Sequence, residues 1–490
     1  MRVLHVGWGF RPMALASIHE YLDDLMAPQV ERGYEVGYFC VGRHYPLLRR
    51  PRLWRWTRNG VRMYEVINSP ILYAPDRGTP MPEAQLDEVY TEGFFVEALS
   101  AFRPDVIHIH DLGFLPSSLL EIASRQNSAA VMTLHDYGPL CPTIKLLNYA
   151  GGICLQRNVG SDCVICCAQA PRDPRFTRRM TTRYEARRLL PGFLHTPLKS
   201  AWHSLRAVRA KLRKPGEEHS DRAPAGSSPL YGLEEAFQKR RETNIRRLNM
   251  LDSLMPNSHR NGAIYQALGV RGDKIVVLHH AHKHIEEIHF RAMTEADLAG
   301  PLTFATLNGC ASVVKGAYVI LNALKNLERM GLANHFKLYV MGGLLESIQS
   351  ELLAFPNVVY RGTYKVPDLD HLLEGLHVGI VPSVWEESYG YVGIEFLAKG
   401  IPVIGNRMGG IVDYTVEGLT GWVNTKNTAD GLAEIMARII RNPSEILQLN
   451  RSIQTNYGRL IKTMDRHVDE IENVYKSVIE ARRGQGDPRC

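Results

Sequence analysis

Pro382-Ser383-Val384-Trp385-Glu386-Glu387-Ser388-Tyr389-Gly390-Tyr391-Val392-Gly393-Ile394-Glu395 is the stretch from which the rest of the chain is read. The apolar run Val378 to Val381 enters it as a buried strand would, and Val392 to Ala398 leaves it as a helix would, so a strand-to-helix turn is expected, with Gly390 near the helix start. Such a turn presents unpaired backbone N–H groups and the positive end of a helix dipole, a setting suited to phosphate or sugar phosphate. Glu387 falls on the turn and Glu395 on the helix. Carboxylates repel a phosphate at contact range, so they are expected to accept hydrogen bonds from nearby hydroxyls; the bland alternative is an ordinary Rossmann-like turn with two solvated glutamates. Sugar nucleotides carry hydroxyls on both sides of a diphosphate.

Trp385-Glu386-Glu387 through Glu395, with Ala398-Lys399-Gly400-Ile401-Pro402-Val403-Ile404 and Met408-Gly409-Gly410-Ile411, resembles the donor-binding signature of retaining glycosyltransferases of family 4, which have the GT-B fold. Glu387 and Glu395 keep the spacing of that family's glutamate pair. The resemblance implies that Glu387 contacts hydroxyls of the donor sugar and Glu395 the ribose, with Gly390, Tyr389 and Tyr391 lining the nucleotide-sugar site between them. It also implies a sugar nucleotide as substrate and no bound metal or other cofactor for the transfer.

Before this stretch, residues 1 to 140 alternate between β-branched apolar runs and helical patterns. Strands are expected at Arg2 to Val6, Tyr34 to Val41, Val61 to Val66, Val106 to His110 and Ala130 to Leu134, and helices at Glu20 to Arg32 and Leu86 to Phe102. That order predicts a doubly wound parallel sheet whose ligands bind at the carboxyl ends of the strands. His110-Asp111 and His135-Asp136 each follow a strand. By resemblance, His135 matches the histidine that lies beside the donor sugar and assists the reaction. Family members usually carry a Gly-Gly pair in the first loop, where this chain has Ala16-Ser17. Each added Cβ disfavours positive φ, although Ser17 can offer a hydroxyl to the diphosphate or acceptor.

The same architecture is expected to repeat in the C-terminal half, giving an α/β chain of two Rossmann-like domains facing each other across a cleft. Strands are read at Ile275 to Leu278, Leu302 to Leu307, Phe336 to Met341, Val358 to Tyr360, Val378 to Val381 and Pro402 to Ile404. His279-His280-Ala281-His282-Lys283-His284 reads as a solvated loop, with metal binding the sharper alternative. Lys315-Gly316 resembles the family's Lys-Gly pair, where an ammonium neutralises charge on the leaving diphosphate. Relatives usually place an Arg just ahead of it, at the position of Cys310, and a thiol does not replace a guanidinium's bidentate grip. Either another cation substitutes, Arg361 or Arg407 being the candidates, or donor affinity is reduced, or the protein is degenerate. The boundaries follow as an N-terminal domain over 1–255, a nucleotide-sugar domain over 256–445, and C-terminal helices and tail over 446–490, with Ile446 to Arg482 helical.

Two segments of the N-terminal half stand outside the resemblance. Five of the eight cysteines fall between Cys141 and Cys167. Cys141, Cys154, Cys163 and Cys166 can supply four thiolates to a structural zinc, the other readings being free or redox-labile thiols and an iron–sulfur centre. Residues 172–247 read as an insertion. Between Arg172 and Lys214, thirteen Lys and Arg stand against two Asp and Glu, interleaved with Phe176, Tyr184, Leu189, Leu190, Phe193, Leu194, Trp202 and Leu205. A basic amphipathic segment of this kind suits an anionic membrane surface, a docking partner or plain solvent. Pro215 to Pro229 is polar and has little to bury, and a helix from Leu233 to Leu251 returns the chain to the sheet.

The 490 residues are 45% hydrophobic, enough for two cores. No apolar run reaches membrane-spanning length and no signal peptide is evident, so a cytoplasmic location is expected, with membrane association through 172–214. The net charge of +7 is moderate for the length and does not indicate a nucleic-acid partner. The expected partners are a nucleoside diphosphate sugar and a glycan, lipid-linked or small-molecule acceptor. The competing expectation is a sugar-nucleotide-binding or scaffold protein with weakened catalysis, which uses its cysteine-rich loop for interactions.

Overall fold

The computed structural model describes residues 1–48, 50–189 and 232–484. The chain divides into two compact units: Met1–Leu254 with Leu268–Lys274 and Val474–Cys490, and Met255–Ala267 with Ile275–Asn473.

The first unit is built on a seven-stranded sheet. Its strands are β1 (Arg2–Trp8), β2 (Glu35–Val41), β3 (Arg52–Arg58), β4 (Val61–Ile67), β5 (Val106–Ile109), β6 (Ala129–Leu134) and β7 (Ser253–Pro256), in the order β3-β4-β2-β1-β5-β6-β7. β1, β2, β4, β5 and β6 pair in parallel and their residues are almost all buried, as strands covered by helices on both faces must be. β3 was not expected. It runs antiparallel to β4 at the sheet's edge, turning at Asn59-Gly60, both with positive φ, which is the backbone a tight hairpin demands. Its alternating Arg and Trp leave one face to solvent, so it lacks the continuous apolar run of its neighbours.

The second unit carries six strands, β8 (Leu302–Leu307), β9 (Phe336–Met341), β10 (Val358–Gly362), β11 (Val378–Val381), β12 (Val403–Asn406) and β13 (Gly421–Asn424), in the order β10-β9-β8-β11-β12-β13, all parallel. From β8 the chain winds outward to β10, then returns to β11 and winds the other way. The winding therefore reverses between β8 and β11, and in an open α/β sheet the crevice beyond the carboxyl ends at that reversal is where ligands bind. In the first unit the corresponding reversal lies between β1 and β5.

One expectation about elements is corrected. Ile275 to Leu278 is not a strand; after a single bridge residue it is irregular, although Leu278 N–H still reaches Pro256 O at 2.9 Å. The helical stretch expected over Ile446 to Arg482 consists of the helices Ser444–Thr455, Tyr457–Leu460 and Met464–Gly484. The break around Ile461 to Thr463 is stabilised from outside. Lys462 Nζ donates to His279 O at 2.9 Å, and Met464 N–H to Glu286 Oε1 at 2.7 Å, bonds that a continuous helix would not allow in this arrangement.

The described part of the insertion forms the helices Arg175–Leu189 and Leu233–Leu248. The first is docked on one side: Thr181 Oγ1 accepts from His44 N–H at 2.7 Å, Glu185 takes Arg43 at 3.1 Å and the Tyr45 hydroxyl at 2.7 Å, and Tyr184 packs edge-on to Phe10. Its opposite side exposes Arg175, Arg179, Arg183 and Arg187 at helical spacing. Phe193, Leu194, Trp202, Leu205, the Pro215 to Pro229 segment and residues 485–490 lie outside the described residues. Among the described residues, no helix is long and apolar enough to cross a membrane.

Candidate functional site

β11 is buried at all four positions and delivers the chain to Pro382 in the second unit. Gly379 in that strand and Phe396 in the Val392–Ala398 helix set how closely the two elements pack, since a Cβ on Gly379 would lie 2.4 Å from the Phe396 ring. Between them, residues 382–391 form the expected turn. Gly390 takes φ +76° and its carbonyl accepts the Tyr414 hydroxyl at 2.7 Å. The Met408-Gly409-Gly410 turn locks the signature from below: Gly410 N–H donates to Glu387 O at 2.7 Å and Gly409 N–H to Glu386 Oε2 at 3.0 Å. Glu386 also takes a two-pronged contact from Arg260, so it is a structural tie.

Glu387 is 7% exposed and turns inward on a cation. Lys315 Nζ stands 2.8 and 2.9 Å from its two oxygens, and Trp385 Nε1 donates to Oε2 at 2.8 Å. The ammonium also lies 5.5 Å from the centroid of the Trp385 ring, a cation–π arrangement. Lys315 can reach this point because Gly316, at φ +97°, lets the start of the Ala317–Arg329 helix abut Pro382; a Cβ there would meet Pro382 O at 2.2 Å. Two of the three residues expected to be catalytic are therefore one ion pair, with a third of Lys315 still open to solvent.

Glu395 lies in the first turn of its helix and is 8% exposed. Its Oε1 meets His284 Nε2 at 3.1 Å, while Oε2 is buried with no hydrogen-bond partner among the described residues. A buried carboxylate oxygen left this way is costly unless a ligand donates to it. Tyr364 approaches the same carboxylate: burial, then the Glu395 charge, push its phenol well above the usual range.

The histidine loop is corrected from solvated to largely buried. His280 and His282 are 8% and 6% exposed, His282 packs edge-on to Tyr391 at 4.4 Å, and His279 stacks on Tyr389 at 5.3 Å between centroids. Tyr389 is itself buried, and Tyr391 half-buried. His279 Nε2 and His259 Nδ1 both meet Asp413 Oδ2, at 2.9 and 3.0 Å, and the two imidazoles hold that carboxyl below its ordinary range against the opposing effect of burial. Sequence reasoning missed His284 and Asp413 as partners, because each meets its residue only through the fold, whereas Trp385 stands two positions from the Glu387 it bonds.

Other expected residues of this unit lie elsewhere. Arg361 sits on edge strand β10 with its guanidinium 4.5 Å over the Tyr339 ring and does not touch Glu387 or Glu395. Cys310 is fully buried in the core, where burial pushes its thiol up to about 12.

In the first unit, His110 and His135 follow β5 and β6 as expected. They join a buried chain of imidazoles: Gln29 Oε1 to His5 Nε2 at 2.7 Å, His5 Nδ1 to His110 Nε2 at 2.9 Å, and His110 Nδ1 to His135 Nε2 at 3.2 Å. Burial lowers His5 to about 4, so it is neutral at neutral pH. With an amide oxygen at the inner end, His5 donates from Nε2 and accepts at Nδ1, and each ring outward takes the same tautomer. His135 is therefore expected as the Nε2–H form, readable in imidazole 15N spectra of histidine-labelled protein. An Nδ1–H signal assigned to His135 would mean that the Gln29 amide is turned round.

Beside this chain, burial raises both the Asp111 and Asp136 carboxyls, Asp111 further because Asp136 is near. Ser17 is exposed at the start of the Ser17–Glu31 helix, in which Tyr21 packs edge-on to His135 at 4.9 Å. Cys141, Cys154 and Cys163 are buried and Cys166 half-buried. Among the described residues, the sets of three or more metal-ligating side chains with ligand atoms within 4.8 Å of one another are His5–His108–His110 and His259–His279–Asp413.

Residues 303–442 match the family model described as glycosyl transferases group 1. The curated relatives include a D-inositol 3-phosphate glycosyltransferase of Nocardiopsis dassonvillei, 31% identical over 20% of this chain and 23% of the relative. Another is a lipopolysaccharide 1,2-N-acetylglucosaminetransferase of Salmonella typhimurium, 28% identical over 26% of this chain and 36% of the relative. These matches span well under half of each relative's own length. Among solved structures, Anabaena HepE in complex with UDP is similar with a TM-score of 0.55 at 12% identity, over 97% of this chain and 100% of that one. The sucrose-phosphate synthase of Thermosynechococcus elongatus is similar with a TM-score of 0.57 at 15% identity, over 98% and 100%. At such identities the likeness establishes the fold, which is GT-B.

Proposed function

We propose that this chain, a GT-B protein whose residues 303–442 belong to the glycosyl transferases group 1, transfers a sugar from a nucleoside diphosphate to an acceptor hydroxyl with retention of anomeric configuration, in the manner of family 4. The observation that carries the reading is the carboxylate arrangement beyond β11: Glu387 tied to Lys315 and Trp385, and Glu395 buried with one oxygen unpartnered. An ionised carboxylate is acceptor-only, so the unpartnered oxygen calls for a donor, and a ribose hydroxyl is one. Glu387 retains lone pairs for hydroxyls of the donor sugar. Lys315, partly open to solvent, meets the charge that develops on the departing diphosphate as the sugar passes through a loose oxocarbenium-like state. His135 positions the sugar, and the departing phosphate helps to deprotonate the acceptor.

The solved neighbours include HepE in complex with UDP and with UDP-glucose and a Burkholderia xenovorans trehalose-phosphate synthase in complex with glucose-6-phosphate, which supports a nucleotide-sugar donor and a sugar-like acceptor here. A glycan, a lipid-linked sugar or a glycosylated metabolite all fit. The exposed Arg175, Arg179, Arg183 and Arg187 favour an acceptor presented at an anionic membrane surface.

Incubation with UDP-, GDP- and ADP-sugars tests the reading: one donor is hydrolysed slowly without acceptor and faster with it. Glu395→Ala raises the KM for that donor by about 10- to 100-fold with a smaller change in kcat, the size of a lost charged hydrogen bond. Donor binding without cleavage across the whole panel would instead indicate a sugar-nucleotide-binding protein that has lost turnover.

A further inference from the structure

The second unit holds a group of ligating side chains that sugar transfer does not use. The histidine run at 279–284 carries no carboxylate of its own, and the fold supplies one: Asp413, 134 positions after His279, places Oδ2 2.9 Å from His279 Nε2. The same oxygen lies 3.0 Å from His259 Nδ1 and 2.8 Å from the His259 backbone nitrogen. The two imidazole nitrogens and the carboxylate oxygen all lie within 4.8 Å of one another. The Asp413 side chain is 6% exposed, while those of His279 and His259 are 32% and 74% exposed. The group is anchored on the carboxylate side and open to water on the other.

Hydrogen bonding alone does not account for this convergence. An ionised carboxylate is acceptor-only, so each imidazole must aim an N–H at it. With the His259 backbone, that makes three donors on one oxygen, which has two lone pairs. A cation seated among the three side-chain atoms relieves the excess, because both imidazole nitrogens then present lone pairs and the backbone N–H keeps its acceptor. Zinc takes imidazole nitrogen and carboxylate oxygen at about 2.0–2.2 Å, which sets tetrahedral ligand atoms about 3.4 Å apart. The present separations from Oδ2 to the two rings, 2.9 and 3.0 Å, need to widen only by a few tenths of an ångström, and the exposed His259 ring is free to make that movement. The other set of ligating residues, His5–His108–His110, is buried. There His5 already uses both ring nitrogens on Gln29 and His110, and His108 both of its own on Tyr475 and Thr133, so an ion would have to displace four bonds.

We propose that His259, His279 and Asp413 bind a zinc ion through His259 Nδ1, His279 Nε2 and Asp413 Oδ2, with water completing the coordination. Each ring keeps one proton, carried on its far nitrogen, so neutral histidines bind with no net loss of protons and no change of oxidation state. Two imidazoles and one carboxylate suit zinc over magnesium or calcium, which take oxygen ligands. Three protein ligands and a solvent-facing position make the ion exchangeable. What it joins is the backbone around Glu387. Asp413 follows Gly410, whose N–H donates to Glu387 O; His259 follows Ser258, whose hydroxyl donates to Ser388 O at 2.6 Å; and His279 stacks on Tyr389. One ion therefore fastens together three segments that grip three consecutive residues of the signature.

The full chain, stripped with a chelator and titrated with cobalt(II) as a spectroscopic stand-in for zinc, is expected to develop ligand-field absorption that zinc displaces and magnesium does not. His259→Gln and His279→Gln are each expected to weaken cobalt binding by at least about 10- to 100-fold, since even the groups that orient a ligand matter that much. His259 is exposed, so its replacement leaves the fold intact, as circular dichroism checks, and that variant decides should His279→Gln fail to fold. Absence of the absorption from the wild type overturns the proposal. So does absorption that folded His259→Gln keeps at wild-type affinity, with or without thiolate-to-cobalt charge transfer, or displacement by magnesium as readily as by zinc.

Discussion

Glu387→Ala is expected to lower kcat/KM for sugar transfer by at least about 10²- to 10³-fold, the scale of removing one group that stabilises charge at a reacting centre, while the folded state survives. The carboxylate is the common partner of Lys315 Nζ and Trp385 Nε1. Truncation deletes the acceptor for the sugar hydroxyls and also frees the ammonium from its fixed place. The folding cost stays near 1–3 kcal/mol, because Lys315 is open enough for water to take over its solvation. Glu387→Gln keeps an acceptor for Trp385 but loses the charge facing Lys315, and is expected to fall between wild type and alanine. Steady-state kinetics alongside circular dichroism and thermal melting measure both sides. Turnover at the wild-type rate in a folded Glu387→Ala chain would remove the carboxylate from the reaction.

Gly409→Ala is expected to cost about as much transfer as Glu387→Ala, although no group that could touch a substrate is changed. Gly409 has φ +53°, and a Cβ on it would lie 2.0 Å from Glu387 O and 2.3 Å from Glu387 N. All the close atoms are backbone, so nothing flexible can move aside and the turn carrying Glu387 must shift. Overpacking of this kind costs about 1–3 kcal/mol, with about 1 kcal/mol more for the positive φ. Gly418→Ala is the control: it has φ +73° but nothing within 4 Å, so it is expected to pay only the conformational part and keep its activity. Equal melting shifts and equal activities in the two variants would show that the Met408-Gly409-Gly410 turn does not hold the signature in place.

The parts of the fold legible in advance were those whose physics is local. β1, β2, β4, β5, β6, β8, β11 and β12 are buried at nearly every position, and burial on both faces leaves an apolar run in the sequence itself. β3 escaped because none of its residues is buried and its Arg and Trp side chains leave no apolar run to mark it. The Ile446 to Arg482 pattern reads as helical because its residues suit a helix, but where it breaks is set by Lys462 and Met464 bonding to His279 and Glu286, far away in sequence.

The candidate site divides the same way. Gly390 and the spacing of Glu387 and Glu395 follow from a strand, a tight turn and a helix in succession, and motif and local backbone geometry are enough to find them. That Lys315 sits on Glu387, that His284 takes one oxygen of Glu395 while the other has no hydrogen-bond partner among the described residues, and that Gln29, His5, His110 and His135 form a row are contacts between residues tens of positions apart. The sequence alone determined which side chains have the chemistry, because periodicity and turn composition are written residue by residue. Only the tertiary structure decided which of them meet, because the interaction of charges in a low-dielectric interior depends on distance in space and not on order along the chain.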